Sequence, residues 1–419
     1  MPPTSSRKFL GNLADVSTLN FTRYWNQVTP ENSGKWASVE PTRDRYNFAP
    51  LDRAYRLARD NGFPFKLHTF IWGSQEPAFL AGLSNAERAE EAEEFIRDTC
   101  ARYPDAELID VVNEPLHAPS NARRGLGGDG ATGFDWVIRS FQLARRHCPG
   151  AKLLLNEFGV INDRDFAARY RRIVELLRDR GLIDGVGLQS HSFNVVGFSP
   201  ATLRGNLDFI AAAGVPIYIS EFDIDAADDQ VQLREYQEKF PIVWQHPAVV
   251  GVTVWGYLFG RTFLPNSGLM FADGRERPAL TWLTDYVRRT APRPSQSPII
   301  IRASGTSGGE HINLIIAGSV VADFTLSTSP QGYVYVGPAS GDILVQFDND
   351  APGRDVILDF VLVNNEIRQA EDQSFNTTTF NGTCGAGSFS ELMHCNGSIG
   401  FGNTDACFSG RCTSLDPQR

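Results

Sequence analysis

Short, almost unbroken apolar runs alternate along the first two thirds of the chain with longer stretches in which apolar residues recur every three or four positions. In the longer stretches Phe166, Tyr170, Ile173, Val174 and Leu177 fall on one helical stripe, as do Leu51, Tyr55 and Ala58, so these segments read as surface helices that bury one face. The short runs are Phe9–Leu13, Trp25–Val28, Pro64–Phe70, Ala106–Val112, Ala151–Leu155, Val186–Leu188, Val215–Ile219 and Val249–Val254. Strands apolar on both faces suit a parallel sheet covered by helices. Eight of them alternating with helices over about 285 residues predict a closed (β/α)8 TIM barrel. The rival open, doubly wound sheet lacks its best sign, because no GxGxxG follows the first strand.

The pattern changes near residue 290. Residues 292–298, within a Pro- and Ser-rich stretch without periodicity, read as a linker between a barrel at 1–291 and a second domain at 299–403. That second domain carries short, often alternating strand candidates, Ile299–Ala303, His311–Val320, Phe324–Ser327, Tyr333–Val336, Ile343–Phe347 and Val356–Val363, separated by Gly, Asp and Ser. A small all-β sandwich is expected. Residues 404–419, with Cys407 and Cys412, read as a tail.

A net charge of -10 argues against nucleic acid or an anionic membrane as the main partner. No apolar run reaches the ~18 residues a membrane helix needs. The start Met1-Pro2-Pro3-Thr4 has neither the charge nor the apolar core of a signal peptide, so an export signal is expected to have been removed. Six cysteines, without a single CxxC pair, point to disulfides rather than a metal site and to a secreted protein, expected to be a monomer.

Polar residues gather where the predicted strands end: Glu31-Asn32 with Lys35, His68 with Trp72 and Gln75, Asn113-Glu114, Asn156-Glu157, Gln189 with His191, Glu221 with Asp223, and Trp255. In a barrel these ends meet on one face. Indole faces stack on sugar C–H groups, while amides and imidazoles bond hydroxyls. Glycosidic cleavage needs two carboxyl groups, one protonated and one ionised. Glu114 and Glu221 each follow an apolar strand, and Glu221 has Asp223 and His191 nearby to keep it ionised. Glu157, followed by Phe158-Gly159, shows no evident polar partner and is the spare. Asn113 is placed to bond the sugar 2-hydroxyl.

The segments Val28–Asn32 with Lys35-Trp36, His68-Thr69 with Trp72, Asp110–Pro115, Gln189–His191, Ile219–Asp223 and Thr253–Gly256 together resemble glycoside hydrolase family 10. The resemblance implies an endo-β-1,4-xylanase working by retaining double displacement, with Glu114 as acid/base, Glu221 as nucleophile, carboxyls ~5.5 Å apart and no catalytic cofactor. It also implies that His191 and Asp223 orient the nucleophile. Glu31, Asn32, Lys35 and Gln75 would hold the next sugar; His68, Trp72, Asn113, Gln189 and Trp255 would wall the reacting one. Two positions depart from the family: Gly73 replaces a histidine and Phe263 replaces a roofing tryptophan.

The second domain has no tryptophan. The acidic turn Asp348–Asp355 is a weak intrinsic sign of Ca2+, since it does not match an EF-hand. Ser304–Glu310, Asn349-Asp350 with Arg354-Asp355, Arg368–Gln373 and His394–Gly397 are similar to carbohydrate-binding module family 60. That resemblance implies Ca2+-mediated binding of xylan or a related plant cell-wall polysaccharide, with Asp350, Asp355 and the Arg354 carbonyl holding the ion. It also implies a Cys384–Cys395 pair. Leu392 stands where the family has an aromatic.

Three other readings compete: a β-1,4-glucan-active glycosidase, a non-catalytic polysaccharide-binding protein, and a metal-dependent hydrolase using His68, His117 and His191. No HxH pair supports the last.

Overall fold

The computed structural model describes residues 8–15, 18–290, 299–337, 339, 341–363, 366–385, 387 and 389–404. The chain divides into two compact units, the first spanning Lys8–Tyr286 and the second beginning at Val287. The expected linker at 292–298, and the tail with Cys407 and Cys412 except its first residue Thr404, lie outside the described residues.

Eight parallel strands form the first unit: β1 Phe9–Leu13, β2 Val28–Thr29, β3 Lys66–Ile71, β4 Leu108–Asn113, β5 Lys152–Glu157, β6 Gly185–Leu188, β7 Ile217–Phe222 and β8 Val249–Val254. Their order is β2-β1-β8-β7-β6-β5-β4-β3, and a parallel bridge from Val28 to Phe65 joins the two ends of the sheet. This is the expected barrel. Helices such as Ala49–Asp60, Asn85–Arg102 and Arg164–Arg178 follow their strands and press apolar stripes onto them, with Tyr170, Ile173, Val174 and Leu177 fully buried.

Several strands start later than the apolar runs and run into the polar residues themselves. β4 includes Asn113, β5 includes Glu157 and β7 includes Glu221. Ladder hydrogen bonds therefore hold the backbone of these chemical groups. The run Trp25–Val28 contributes only Val28 to a strand, because Phe21–Tyr24 makes a helical turn that Trp25 ends.

The second unit is a sandwich of antiparallel strands: β9 Ile299–Gly305, β10 His311–Ile316, β11 Ser319–Thr325, β12 Gln331–Tyr335, β13 Asp342–Phe347, β14 Val356–Val363, β15 Glu366–Gln369, β16 Leu392–Met393 and β17 Gly397–Asn403. One sheet runs β11-β10-β13-β17 and the other β12-β9-β14-β15, with β16 also on β14. Ile301, Leu314, Val345, Phe347, Leu358, Val361, Ile399 and Phe401 fill the core. The expected strand His311–Val320 is instead two, because the chain reverses at Ala317 and Gly318, both with positive φ.

Candidate active site

Lys66 and His68 lie two residues apart on β3 and therefore project to the same side. Both reach Asp110 Oδ2 on β4, Lys66 Nζ at 3.2 Å and His68 Nδ1 at 2.8 Å. All three are buried, and Asp110 Oδ1 has no hydrogen-bond partner. Lys66 Nζ also donates to the carbonyl of Ser220 at 3.4 Å, immediately before Glu221.

Above this cluster three amides join the strand ends. Asn156 Nδ2 donates to Asn113 Oδ1 at 2.8 Å and to Glu221 Oε1 at 2.7 Å. Gln189 Nε2 donates to Asn113 Oδ1 at 3.3 Å and to Glu114 Oε1 at 3.0 Å. Ser220 Oγ donates to Asn156 Oδ1 at 2.6 Å, which orients that amide. A Cβ on Gly187 would stand 2.2 Å from Asn156 Oδ1, so glycine on β6 leaves room for the Asn156 side chain.

Glu114 follows β4 with φ of 52°, in the left-handed region, and its N–H donates to the Asn156 carbonyl at 2.8 Å. It is half-buried, and Trp72 Nε1 donates to its Oε2 at 3.0 Å. Glu221 is only 4% exposed. His191 Nε2 sits 3.2 Å from Glu221 Oε2, and His191 Nδ1 sits 2.8 Å from Asp223 Oδ2. The Ser192 N–H fixes the other Asp223 oxygen at 2.7 Å.

Burial acts to raise the Glu221 carboxyl, but the His191 bond and the charges of His68, His191 and Lys66 outweigh it and hold the group at about 2. Burial also opposes charge on His191, yet Asp223 and Glu221 carry its imidazole up to about 10. At neutral pH the arrangement is a carboxylate facing an imidazolium.

Lys35 Nζ donates to Asn32 Oδ1 at 3.0 Å and Gln75 Oε1 at 2.6 Å, and lies 4.9 Å from the centre of the Trp72 ring. Burial pushes the Lys35 amine down and the Glu31 carboxyl up. Trp255 is buried with its ring 5.4 Å from His68 and 6.3 Å from His191. Phe263 and Phe193 are both largely exposed, and each ring centre is 5.3 Å from His191.

Glu114, Glu221, Asn113, Gln189, His191, Asp223, Trp72, His68 and Trp255 are thus brought together. Glu31, Asn32, Lys35 and Gln75 adjoin them through Lys35 and Trp72. Sequence reading passed over Lys66, Ser220 and Phe193; a lysine two residues before His68 within an apolar strand was the available signal. Glu157 also needs correction. It is fully buried but not solitary: His117 Nδ1 lies 2.8 Å from Oε1, the Leu116 N–H donates to Oε2 at 3.0 Å and the Phe158 N–H donates to Oε1 at 3.0 Å. Its partner comes from the turn after Glu114, which adjacency along β5 could not reveal.

Asp350, Arg354 and Asp355 lie in the second unit. Among the described residues, the one group of three acidic, His or Cys side chains whose ligand atoms cluster is Glu40, Asp44 and Glu91. There Trp36 Nε1 already bonds Glu40 and Arg43 Nε already bonds Glu91. The glycine-rich loop after β4 lines a surface cavity of about 580 Å³ with Asp135, Arg139 and Arg180, and none of its lining residues is a predicted site residue.

The family model described as Glycosyl hydrolase family 10 matches residues 4–286. "Endo-1,4-beta-xylanase B" of Cellvibrio japonicus is 47% identical over 285 residues, covering 66% of this chain and 45% of that protein. "Bifunctional xylanase/xylan deacetylase" of Cellvibrio japonicus is 62% identical over 113 residues, 27% of this chain and 17% of that protein. The chain therefore spans less than half the length of each of these two relatives. Among solved structures, xylanase 10B from Thermotoga petrophila RKU-1 in complex with xylobiose superposes with a TM-score of 0.60 at 22% identity, over 68% of this chain and 95% of that chain.

Proposed function

Since the chain belongs to glycosyl hydrolase family 10, we propose that it hydrolyses internal β-1,4-xylosidic bonds of xylan by a retaining double displacement. The observation that carries this reading is the pairing of unlike carboxyls. Glu221 is buried, held ionised chiefly by His191 and bonded by Asn156, whereas Glu114 is half-buried and held by Trp72 and Gln189 at the other end of the amide chain. The names of the similar xylanases support the substrate.

In the first step a Glu221 oxygen attacks the anomeric carbon as the glycosidic C–O bond breaks and Glu114 gives its proton to the departing oxygen. In the second, Glu114 takes a proton from water, the water oxygen displaces Glu221, and both carboxyls return to their starting states. Asn113 bonds the 2-hydroxyl, while Gln189, His68, Trp72 and Trp255 wall the reacting sugar. Glu31, Asn32, Lys35 and Gln75 hold the next one, and no cofactor takes part.

The barrel at 1–291 works as a secreted monomer, joined through 292–298 to a binding module for xylan or a related polysaccharide at 299–403. Two disulfides, Cys100–Cys148 and Cys384–Cys395, support an oxidising compartment. Asp350, Asp355 and the Arg354 carbonyl are hard oxygen donors suited to Ca2+. Their turn is pinned by Asn396 Oδ1 on the Asp350 N–H at 2.9 Å and Thr306 Oγ1 on the Asp355 N–H at 2.8 Å. The ion would bridge the module to sugar hydroxyls.

The test is reducing-sugar release from arabinoxylan, barley β-glucan and cellulose by wild type and Glu221→Gln. Short oligomers from xylan, lost in the variant, support the reading. Cleavage of glucan alone overturns the substrate, and full activity in the variant overturns the nucleophile.

A further inference from the structure

Glu157 is a buried carboxylate that the mechanism does not use, and two of its three side-chain bonds go to the turn after Glu114, the third coming from the Phe158 N–H beside it. The turn after Glu114 is closed by the His117 N–H at 3.2 Å and the Ala118 N–H at 2.8 Å, both donating to the Glu114 carbonyl. Glu157 grips the same turn from below through the Leu116 N–H at 3.0 Å and His117 Nδ1 at 2.8 Å. The His117 ring is clamped in turn, stacked 3.7 Å from Phe158 and 4.5 Å from Phe166. Glu114 itself sits at φ of 52°, a conformation that a residue with a Cβ holds only when its surroundings enforce it.

We propose that Glu157, acting through Leu116 and His117, is a positioning residue that fixes the aim of Glu114 at the departing oxygen. Glu157 is fully buried and can touch no substrate. Its effect passes through the Glu114 backbone, where a displacement of about 1 Å is enough to cost much of the rate. The inference rests on Glu114 being the acid/base.

The full chain is assayed with two substrates. Xylotetraose has a sugar leaving group that needs a proton; dinitrophenyl β-xylobioside has one that departs without it. Glu157→Gln keeps the shape but replaces one acceptor oxygen by a donor amide. The expected result is a loss of kcat/KM of about 10- to 100-fold on xylotetraose with less than about threefold on the activated glycoside, a fraction of the ~10²–10⁴ that general acid catalysis supplies. His117→Phe keeps the ring stack on the surface and removes one bond, so the same split is expected at about three- to tenfold even if Glu157→Gln does not fold. Equal losses on the two substrates, or no loss on either, overturn the proposal. Glu114→Ala separates the two readings: if it affects both substrates equally, the acid/base assignment fails, whereas a normal split there with none in Glu157→Gln and His117→Phe overturns the positioning role alone.

Discussion

The Gly73 N–H donates to the Ala118 carbonyl at 2.9 Å, and a Cβ at residue 73 would stand 2.7 Å from the carbonyl oxygens of both Ala118 and Pro119. The departure from the family's histidine thus has a steric reason, because backbone occupies the space. Gly73→Ala is expected to displace the Glu114 turn, lowering stability by about 1–3 kcal/mol and kcat on xylan by roughly tenfold. Urea unfolding and initial rates check it; an unchanged variant would sink the explanation.

His191 and Glu221 set opposite pH limits. The His191 bond and the nearby positive charges hold Glu221 at about 2, below the ordinary carboxylate value of 4.5, so its contribution to stability is present above about 4.5 and is lost as pH falls toward 2. His191 is raised from 6.5 to about 10, so its contribution is full below 6.5 and is lost as pH rises toward 10. His191→Ala is expected to shift the acid limb of kcat/KM to higher pH and to cost on the order of a hundredfold at neutrality. An unmoved acid limb in a pH–rate profile would refute the charge pairing.

Much of this was legible because the barrel repeats one pattern. An apolar run followed by Asn, Glu, Gln or His marks a strand whose end faces the site, and Asn113, Glu114, Gln189, His191 and Glu221 were all read that way. What stayed hidden depends on contacts across strands. Lys66 lies inside the apolar run Pro64–Phe70, and nothing along that run shows that β3 places it against Asp110. Glu157 looked unpartnered because His117 belongs to another strand's loop. The β10–β11 hairpin was missed because its turn, Ala317-Gly318, is short and only Ser319 separates it from the apolar Val320-Val321 that follow.

Lys66 and Asp110 form an ion pair with both side chains essentially inaccessible. Asp110→Asn removes the anion and leaves a buried cation, so a loss of about 3–5 kcal/mol is expected. Lys66→Met in the same chain should recover part of it. Two additive losses in chemical denaturation would show that the two groups do not depend on each other.

Cys100 lies in the helix Asn85–Arg102 and Cys148 ends the helix Asp135–His147, the paired positions being separated by 48 in sequence. Cys148→Ser with Cys100→Ser is expected to destabilise the unit by about 4 kcal/mol through the freed chain entropy of the unfolded state. Thermal melts read this directly, and xylotetraose turnover at low temperature should be unchanged.

EDTA is expected to leave hydrolysis of soluble xylo-oligosaccharides untouched while releasing the full chain from insoluble xylan, as should Asp355→Ala. Retention on xylan that ignores both treatments would remove Ca2+ from the module's binding.

Both oxygens of Glu221 are already engaged, Oε1 by Asn156 at 2.7 Å and Oε2 by His191 at 3.2 Å. The torsional freedom of the side chain is therefore spent during folding, and if Glu221 is the nucleophile proposed above, none of it is left to lose at the barrier. One consequence concerns temperature: because no further ordering of this group is needed on the way to the transition state, its part of the activation entropy should be small, and an Eyring plot should place the barrier chiefly in enthalpy until the barrel itself opens.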